Sequence, residues 1–200
     1  MNRLPKEGTT RAGVSEFALE HRGLLAGPVV EIGSRRDYGS WWADLRGQLE
    51  LDDVEWVGVD LQSGGYVDVV FDMTRDLSEW PAEAGCKEGP RDRFGSCVCA
   101  EVLEHVNYPA KMLANIRRIL KPGAWLIVTT PFAFPAHAYP DDYWRFTPSG
   151  LRLLLTDAGF VQIKAFERAV KTVTFYDHDD VPAQWTLPQH VCAVARKQSP

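Results

Sequence analysis

Acidic side chains stand where short apolar runs stop. Glu31 and Gly33 lie in Val29-Val30-Glu31-Ile32-Gly33, Asp60 closes Trp56-Val57-Gly58-Val59-Asp60, Asp72 closes Val67-Asp68-Val69-Val70-Phe71-Asp72, and Glu101 follows Ser96-Cys97-Val98-Cys99-Ala100. A carboxylate at the end of the second run suits a ribose diol, because it accepts two hydroxyl hydrogen bonds at once. Any one of these acids could instead cap a neighbouring helix. Four in succession point to a ligand that carries a nucleoside. Glu101-Val102-Leu103-Glu104-His105 gathers two carboxylates and an imidazole, and a helix starting there would put Glu101 and His105 on one face. Residues 131–147 interleave Phe132, Phe134, Tyr139, Tyr143, Trp144 and Phe146 with His137, Asp142 and Arg145. Such a loop suits a polyhydroxylated or aromatic substrate, met by Tyr139, Asp142, Tyr143, Trp144 and Arg145. Its alternative is an aromatic plug closed by an Asp142–Arg145 ion pair.

The elements that must position these groups follow from periodicity. The four runs above and a fifth over residues 124–130, launched by Lys121-Pro122-Gly123, are near-continuously apolar, as strands covered on both faces are. Helical spacing joins Trp41, Trp42, Leu45 and Leu49, and again Met112, Leu113, Ile116, Ile119 and Leu120, with Pro122-Gly123 as the stop. Thr147-Pro148 reads as an N-cap followed by proline in the first turn. Leu151, Leu154, Leu155 and Ala158 then form the apolar face of that helix, and Gly159 ends it. Residues 160–169 and 190–195 read as two last strands, separated by a loop rich in Asp, Pro and Tyr. Strands alternating with helices predict an α/β, doubly wound, mostly parallel sheet. In such a sheet ligands sit outside the carboxyl ends of the strands. Weak helical spacing through Val14, Phe17, Ala18 and Leu24 marks a helix near the N-terminus.

Two hundred residues, 45% apolar and 24% charged, fit one globular domain spanning 1–200 and exclude a disordered or collagen-like chain. The net charge of −5 gives no basic face for a nucleic-acid backbone. Cys86, Cys97, Cys99 and Cys192 are too few for a disulfide framework and lack the paired spacing of a zinc knuckle, so they read as reduced and buried. The first ten residues are polar, and no apolar stretch approaches the roughly 20 residues of a membrane helix. A cytoplasmic location and no membrane partner are expected. Nothing in the composition sets the oligomeric state.

From about residue 28 to 160, these fragments together resemble the class I S-adenosylmethionine-dependent methyltransferases. Residues 29–34, including Glu31, Gly33 and Ser34, are similar to the family's first motif, over which the methionine part of the cofactor lies. Asp60 matches the acid that holds the ribose hydroxyls, and Leu61 the residue packed on the adenine. Asp72 and Met73 match the pair beside the adenine amine. Residues 97–105 resemble the fourth motif and its following turn, which puts Cys99 and Ala100 with the cofactor-binding residues. Leu120-Lys121-Pro122-Gly123 and Asp157-Ala158-Gly159-Phe160 complete the pattern, and the last two strands fit the family's terminal hairpin. The fold implied is a Rossmann-like seven-stranded sheet with an antiparallel C-terminal hairpin, and residues 1–26 would form an N-terminal helical lid.

One position departs. The first motif usually reads Gly-x-Gly, and here the second glycine is Arg35. That side chain must turn away or contact the carboxylate of the cofactor's methionine. The same change removes the G-x-G-x-x-G of a nicotinamide-dependent oxidoreductase, a weaker alternative. The resemblance to a bacterial subgroup that modifies saccharides or small molecules implies methylation of a hydroxyl on such an acceptor. His105 and His137 are the candidate general bases by side-chain type. A catalytically inactive, cofactor-binding partner subunit is the other alternative. A metal-free site is the preferred reading. The competing one is a divalent ion at Glu101, Glu104, His105 and His137, which would lower the acceptor's pKa.

Overall fold

In the computed structural model, the described residues are 10–35, 49, 53–81, 89–137, 141–168, 171–176 and 182–199. The strands are β1 (Val29–Ile32), β2 (Trp56–Asp60), β3 (Val69–Val70), β4 (Phe94–Ala100), β5 (Leu120–Pro131), β6 (Phe160–Arg168), β7 (Lys171–Tyr176), β8 (Pro182–Leu187) and β9 (His190–Lys197). The helices are α1 (Thr10–Glu20), α2 (Pro109–Ile119) and α3 (Pro148–Asp157).

Seven strands share one sheet in the order β3-β2-β1-β4-β5-β9-β6. β1 to β5 pair in parallel, and β9 runs antiparallel between β5 and β6. The chain order turns back between β1 and β4, the place where such sheets open a ligand crevice. All four β1 residues are buried, as an apolar run covered on both faces requires. Met112, Leu113, Ile116 and Ile119 of α2, with Leu151 and Leu155 of α3, pack one face over Cys97, Cys99, Leu126 and Val128. Phe17 and Ala18 of α1, with Leu49, pack the other over Val29, Val98, Ile127 and Cys192. Helices therefore cover both faces. Over its described part, the stretch anticipated as a lid packs on the sheet through Phe17 and Ala18. Trp41, Trp42 and Leu45 lie outside the described residues, as does Cys86.

Three boundaries differ from the sequence reading. The expected third strand, 67–72, shrinks to two residues, a short edge that offers little for another chain to pair with. α2 ends at Ile119 rather than at Pro122-Gly123, and β5 already starts at Leu120. Proline disfavours helical geometry at the residue before it, so the chain is extended by Lys121. The expected loop between the last two strands contains a second, two-stranded antiparallel sheet, β7 with β8. The run Thr172-Val173-Thr174-Phe175-Tyr176 has the branched and aromatic residues strands favour, and the Asp- and Pro-rich composition after it obscured that. The expected cap at Thr147 is present: its Oγ1 accepts from the Gly150 amide at 3.0 Å. Cys97, Cys99 and Cys192 are free and buried. Among the described residues, no helix is long and apolar enough to cross a membrane.

Candidate active site

The turn after β1 is built on backbone. Gly33 has φ +75°, and a Cβ there would lie 2.3 Å from Val102 Cγ2. Glycine thus lets this turn close onto the loop that leaves β4. The amides of Gly33 and Ser34 both donate to the Val59 carbonyl of β2. Ser34 Oγ is buried with no partner among the described residues, a polar atom in search of a ligand. At the end of β2, Asp60 accepts from the Arg35 amide at Oδ2 and the Gln62 amide at Oδ1, both at 3.1 Å. A carboxylate has about four acceptor sites, so the two amides orient it and leave capacity for two hydroxyls. The Arg35 guanidinium donates to Gln62 Oε1, and its stem lies beside Gly64, where a Cβ would be 2.9 Å from Arg35 Cγ. Of the two options for Arg35, the side chain turns away toward the β2 end.

Leu61 is 53% exposed, an apolar face left open beside Asp60. Asp72 Oδ1 accepts from the amide and hydroxyl of Thr74. The Met73 side chain goes into the core, which leaves only its backbone to meet a ligand. That backbone is held from α2, where buried Asn115 donates to the carbonyls of Met73 and Arg75 at 2.9 and 2.8 Å. The Cys99 side chain is likewise wholly buried and Glu31 nearly so; burial pushes the Cys99 thiol up, out of reach of ionisation. An orphaned hydroxyl, a glycine cradle, an oriented acid and an open apolar face fit a nucleoside cofactor.

The loop after β4 does not open a regular helix. Glu101 has φ +54° and only a 3-10 turn, Leu103–His105, follows. The helical pairing expected of Glu101 and His105 is not formed, and the two carboxylates diverge. Glu101 turns to the neighbouring strands: Oε1 accepts from Thr129 Oγ1 at 2.8 Å and Oε2 lies 3.0 Å from His190 Nδ1. Glu104 turns inward, 0% exposed, with Thr130 Oγ1 3.4 Å from Oε2 and His105 Nε2 3.5 Å from Oε1. Burial first, and the Glu101 charge next, push its carboxyl well above the usual carboxylate range. His105 Nδ1 meets the Asp141 carbonyl. A carbonyl only accepts, so Nδ1 is the donor in this contact. His137 Nδ1 lies 3.1 Å from Asp142 Oδ2. Rings run along this edge from His105 to His137 (4.9 Å between centroids), to Phe134 (5.3 Å) and to His190 (6.5 Å).

Two groups of expected residues have definite partners here. Glu104, His105 and His137 each bring a ligand atom within 4.8 Å of the others, but Glu101 is spent on Thr129 and His190, so the four-residue metal set becomes three. Asp142 and Arg145 hold each other and the loop. The guanidinium donates to both Asp142 oxygens and to the carbonyls of Phe134, Pro135 and Trp144. The same pairing keeps the Asp142 carboxyl well below the usual range. Five donors converging on one loop leave the guanidinium little for a ligand. Tyr143 and Trp144 remain half exposed, the phenol donating to Asp141 and the indole to the Val106 carbonyl; Tyr139 lies outside the described residues. His190 is the residue the sequence reading passed over. Its signal was its place: in an antiparallel last strand, the opening residue falls at the edge where β4 and β5 end.

A family model described as a methyltransferase domain matches residues 10–165. The chain belongs to that family. This methyltransferase has the class I fold and uses S-adenosylmethionine. It is similar to a SAM-dependent methyltransferase from Archaeoglobus fulgidus, with TM-score 0.62 and 14% identity over 94% of this chain and 95% of that one. It is also similar to the 1,6-didemethyltoxoflavin-N1-methyltransferase of Burkholderia thailandensis, solved with its acceptor and S-adenosylhomocysteine (TM-score 0.60, 17% identity, 96% and 80% covered). The CurJ carbon methyltransferase shares the fold at TM-score 0.58 and 16% identity, covering 86% of this chain and 48% of that one. No curated protein matches the chain in sequence.

Proposed function

We propose that this methyltransferase moves the methyl group of S-adenosylmethionine onto a hydroxyl oxygen of a small molecule or sugar. The observation that carries the reading is the row of imidazoles beside Phe134 at the carboxyl ends of β4 and β5. The solved relatives above act, by name, on nitrogen and on carbon, so the fold leaves the acceptor atom open. A neutral amine attacks with its own lone pair, whereas a hydroxyl must shed a proton as it attacks, and an imidazole is suited to take it.

In this reading Asp60 holds the ribose, Leu61 packs on the adenine, and Gly33, Ser34 and Ala100 line the methionine end. Glu31, Cys99 and Met73 act through backbone or packing, and Asp72 shapes its turn. The cofactor supplies an electrophilic methyl on a sulfonium. The protein's share is alignment of the acceptor oxygen with that methyl and acceptance of the proton at an imidazole on this edge, where His105 and His137 stand. Tyr143 and Trp144 face the acceptor, while Asp142 and Arg145 hold the loop that presents them. A second reading keeps a divalent ion at Glu104, His105 and His137, whose mixed carboxylate and imidazole donors suit Mn²⁺ or Zn²⁺; there it would acidify the acceptor hydroxyl.

Calorimetry with S-adenosylhomocysteine and NADH, then turnover on a panel of polyols, phenols and amines, tests the proposal. Binding of the first ligand alone and turnover of hydroxyl compounds are expected. Turnover of amines only refutes it, and cofactor binding without turnover of any acceptor favours the inactive partner subunit. Activity unchanged in excess chelator removes the metal; activity lost and restored by one added ion establishes it.

A further inference from the structure

The methyl-transfer reading needs a group to take the acceptor's proton, and we infer that this group is His190, held in place by Glu101. The inference rests on that reading. β9 runs antiparallel to β5, so its opening residue pairs with Pro131 at the end of β5 and with Arg168 at the end of β6. The ring is therefore placed at the edge where Glu101 leaves β4. Glu101 is fixed from the other side by Thr129, and its Oε2 lies 3.0 Å from Nδ1. The contact is close but not yet aligned as a hydrogen bond, as is common in catalytic pairs before substrate arrives. The His190 side chain is 5% exposed, and Nε2 is buried with no partner among the described residues. An imidazole nitrogen shut away from water and unpaired is costly unless a ligand meets it. Glu101 itself sits at φ +54°, a strained conformation for a non-glycine residue and one that collects at functional sites.

The other imidazoles on this edge are less available. His105 has Nδ1 on the Asp141 carbonyl and Nε2 toward Glu104. His137 has Nδ1 toward Asp142 and the Pro135 carbonyl, and its side chain is 40% exposed. Around His190 stand Glu101 from the end of β4, Arg168 from β6, itself paired with Glu20 of α1, and Phe134 from the loop after β5. The step balances as follows. The acceptor O–H gives its proton to Nε2 while an oxygen lone pair forms the new C–O bond to the methyl carbon. The C–S bond breaks with its electrons to sulfur, so the sulfonium becomes the neutral thioether of S-adenosylhomocysteine. His190 is left as imidazolium beside the Glu101 carboxylate and passes the proton to solvent.

The test uses the full chain labelled with ¹⁵N-histidine and saturated with S-adenosylhomocysteine. The His190 ring is expected as the Nδ1–H tautomer with a bare Nε2, and E101Q is expected to lose that single tautomer. An Nε2–H ring in the wild-type complex overturns the proposal, whether or not an acceptor is known. On any acceptor the wild type turns over, H190N should lose about 100-fold or more in kcat with S-adenosylhomocysteine affinity unchanged within about twofold. Wild-type kcat in H190N, or abolition by H105N with H190N spared, also overturns it. Should H190N not fold, H190Q and E101Q carry the same readouts. Failure of the wild type to bind S-adenosylhomocysteine would instead count against the methyltransferase reading itself.

Discussion

Gly33→Ala separates the two reasons for glycine in the turn after β1. The first is backbone: at φ +75° an alanine costs about 1–2 kcal/mol in left-handed geometry. The second is packing: the new Cβ would stand 2.3 Å from Val102 Cγ2, about 1 Å inside the 3.4 Å at which ordinary contact begins. Overpacking of that kind costs about 1–3 kcal/mol. Together they predict a loss of about 2–5 kcal/mol, a large part of the total stability of a typical domain. Val102→Ala removes the clashing methyl and leaves the backbone cost, so G33A and G33A/V102A should differ by less than V102A costs alone. The four proteins of this cycle are to be unfolded in urea, with S-adenosylhomocysteine affinity measured in parallel. A coupling of about 1–3 kcal/mol is expected between the two sites, with cofactor affinity reduced most in G33A. Strict additivity, or a G33A protein as stable as wild type, would refute the claim that this turn is closed by contact with the loop after β4.

Three further perturbations follow from the same geometry. Asp60→Ala removes the acceptor of two amides and of the expected ribose hydroxyls; at about 1.5–3 kcal/mol for a charged hydrogen bond, Kd for S-adenosylhomocysteine should rise at least tenfold. Wild-type affinity by calorimetry would mean that the ribose lies elsewhere. Glu104 binds its proton more tightly folded than unfolded, so stability should fall as pH rises above about 4.3, the unfolded carboxyl value. Glu104→Gln should flatten that decline in Tm between pH 5 and 8, and a parallel curve would show that Glu104 is charged in the folded protein. Asp142 has the opposite sign. Its pairing with Arg145 contributes fully above about pH 4 and is lost as pH falls below it, so Asp142→Asn should lower Tm at pH 7 and bring it toward wild type in stronger acid. An equal Tm at pH 7 would return Asp142 and Arg145 to the acceptor.

What the sequence determined by itself was local and periodic. The buried runs ending at Glu31-Ile32-Gly33, Asp60 and Ala100, the Thr147 cap and the apolar face of α2 follow from spacing and side-chain type, because each interaction lies within one element or one turn. The acids at the strand ends were legible for the same reason, since they follow the apolar runs directly. Tertiary structure decided where those acids point. Glu101 and Glu104 are three residues apart, yet one reaches β5 and β9 while the other enters the core, because a left-handed residue and a 3-10 turn replace the helix that spacing suggested. Asp142 and Arg145 had two readings in sequence, and only the fold brings the carbonyls of Phe134, Pro135 and Trp144 onto the guanidinium. His190, 89 residues beyond Glu101, meets it only because β9 inserts antiparallel between β5 and β6. Sheet order is a non-local property: it depends on which buried faces pair across the whole chain, and no window of sequence contains it.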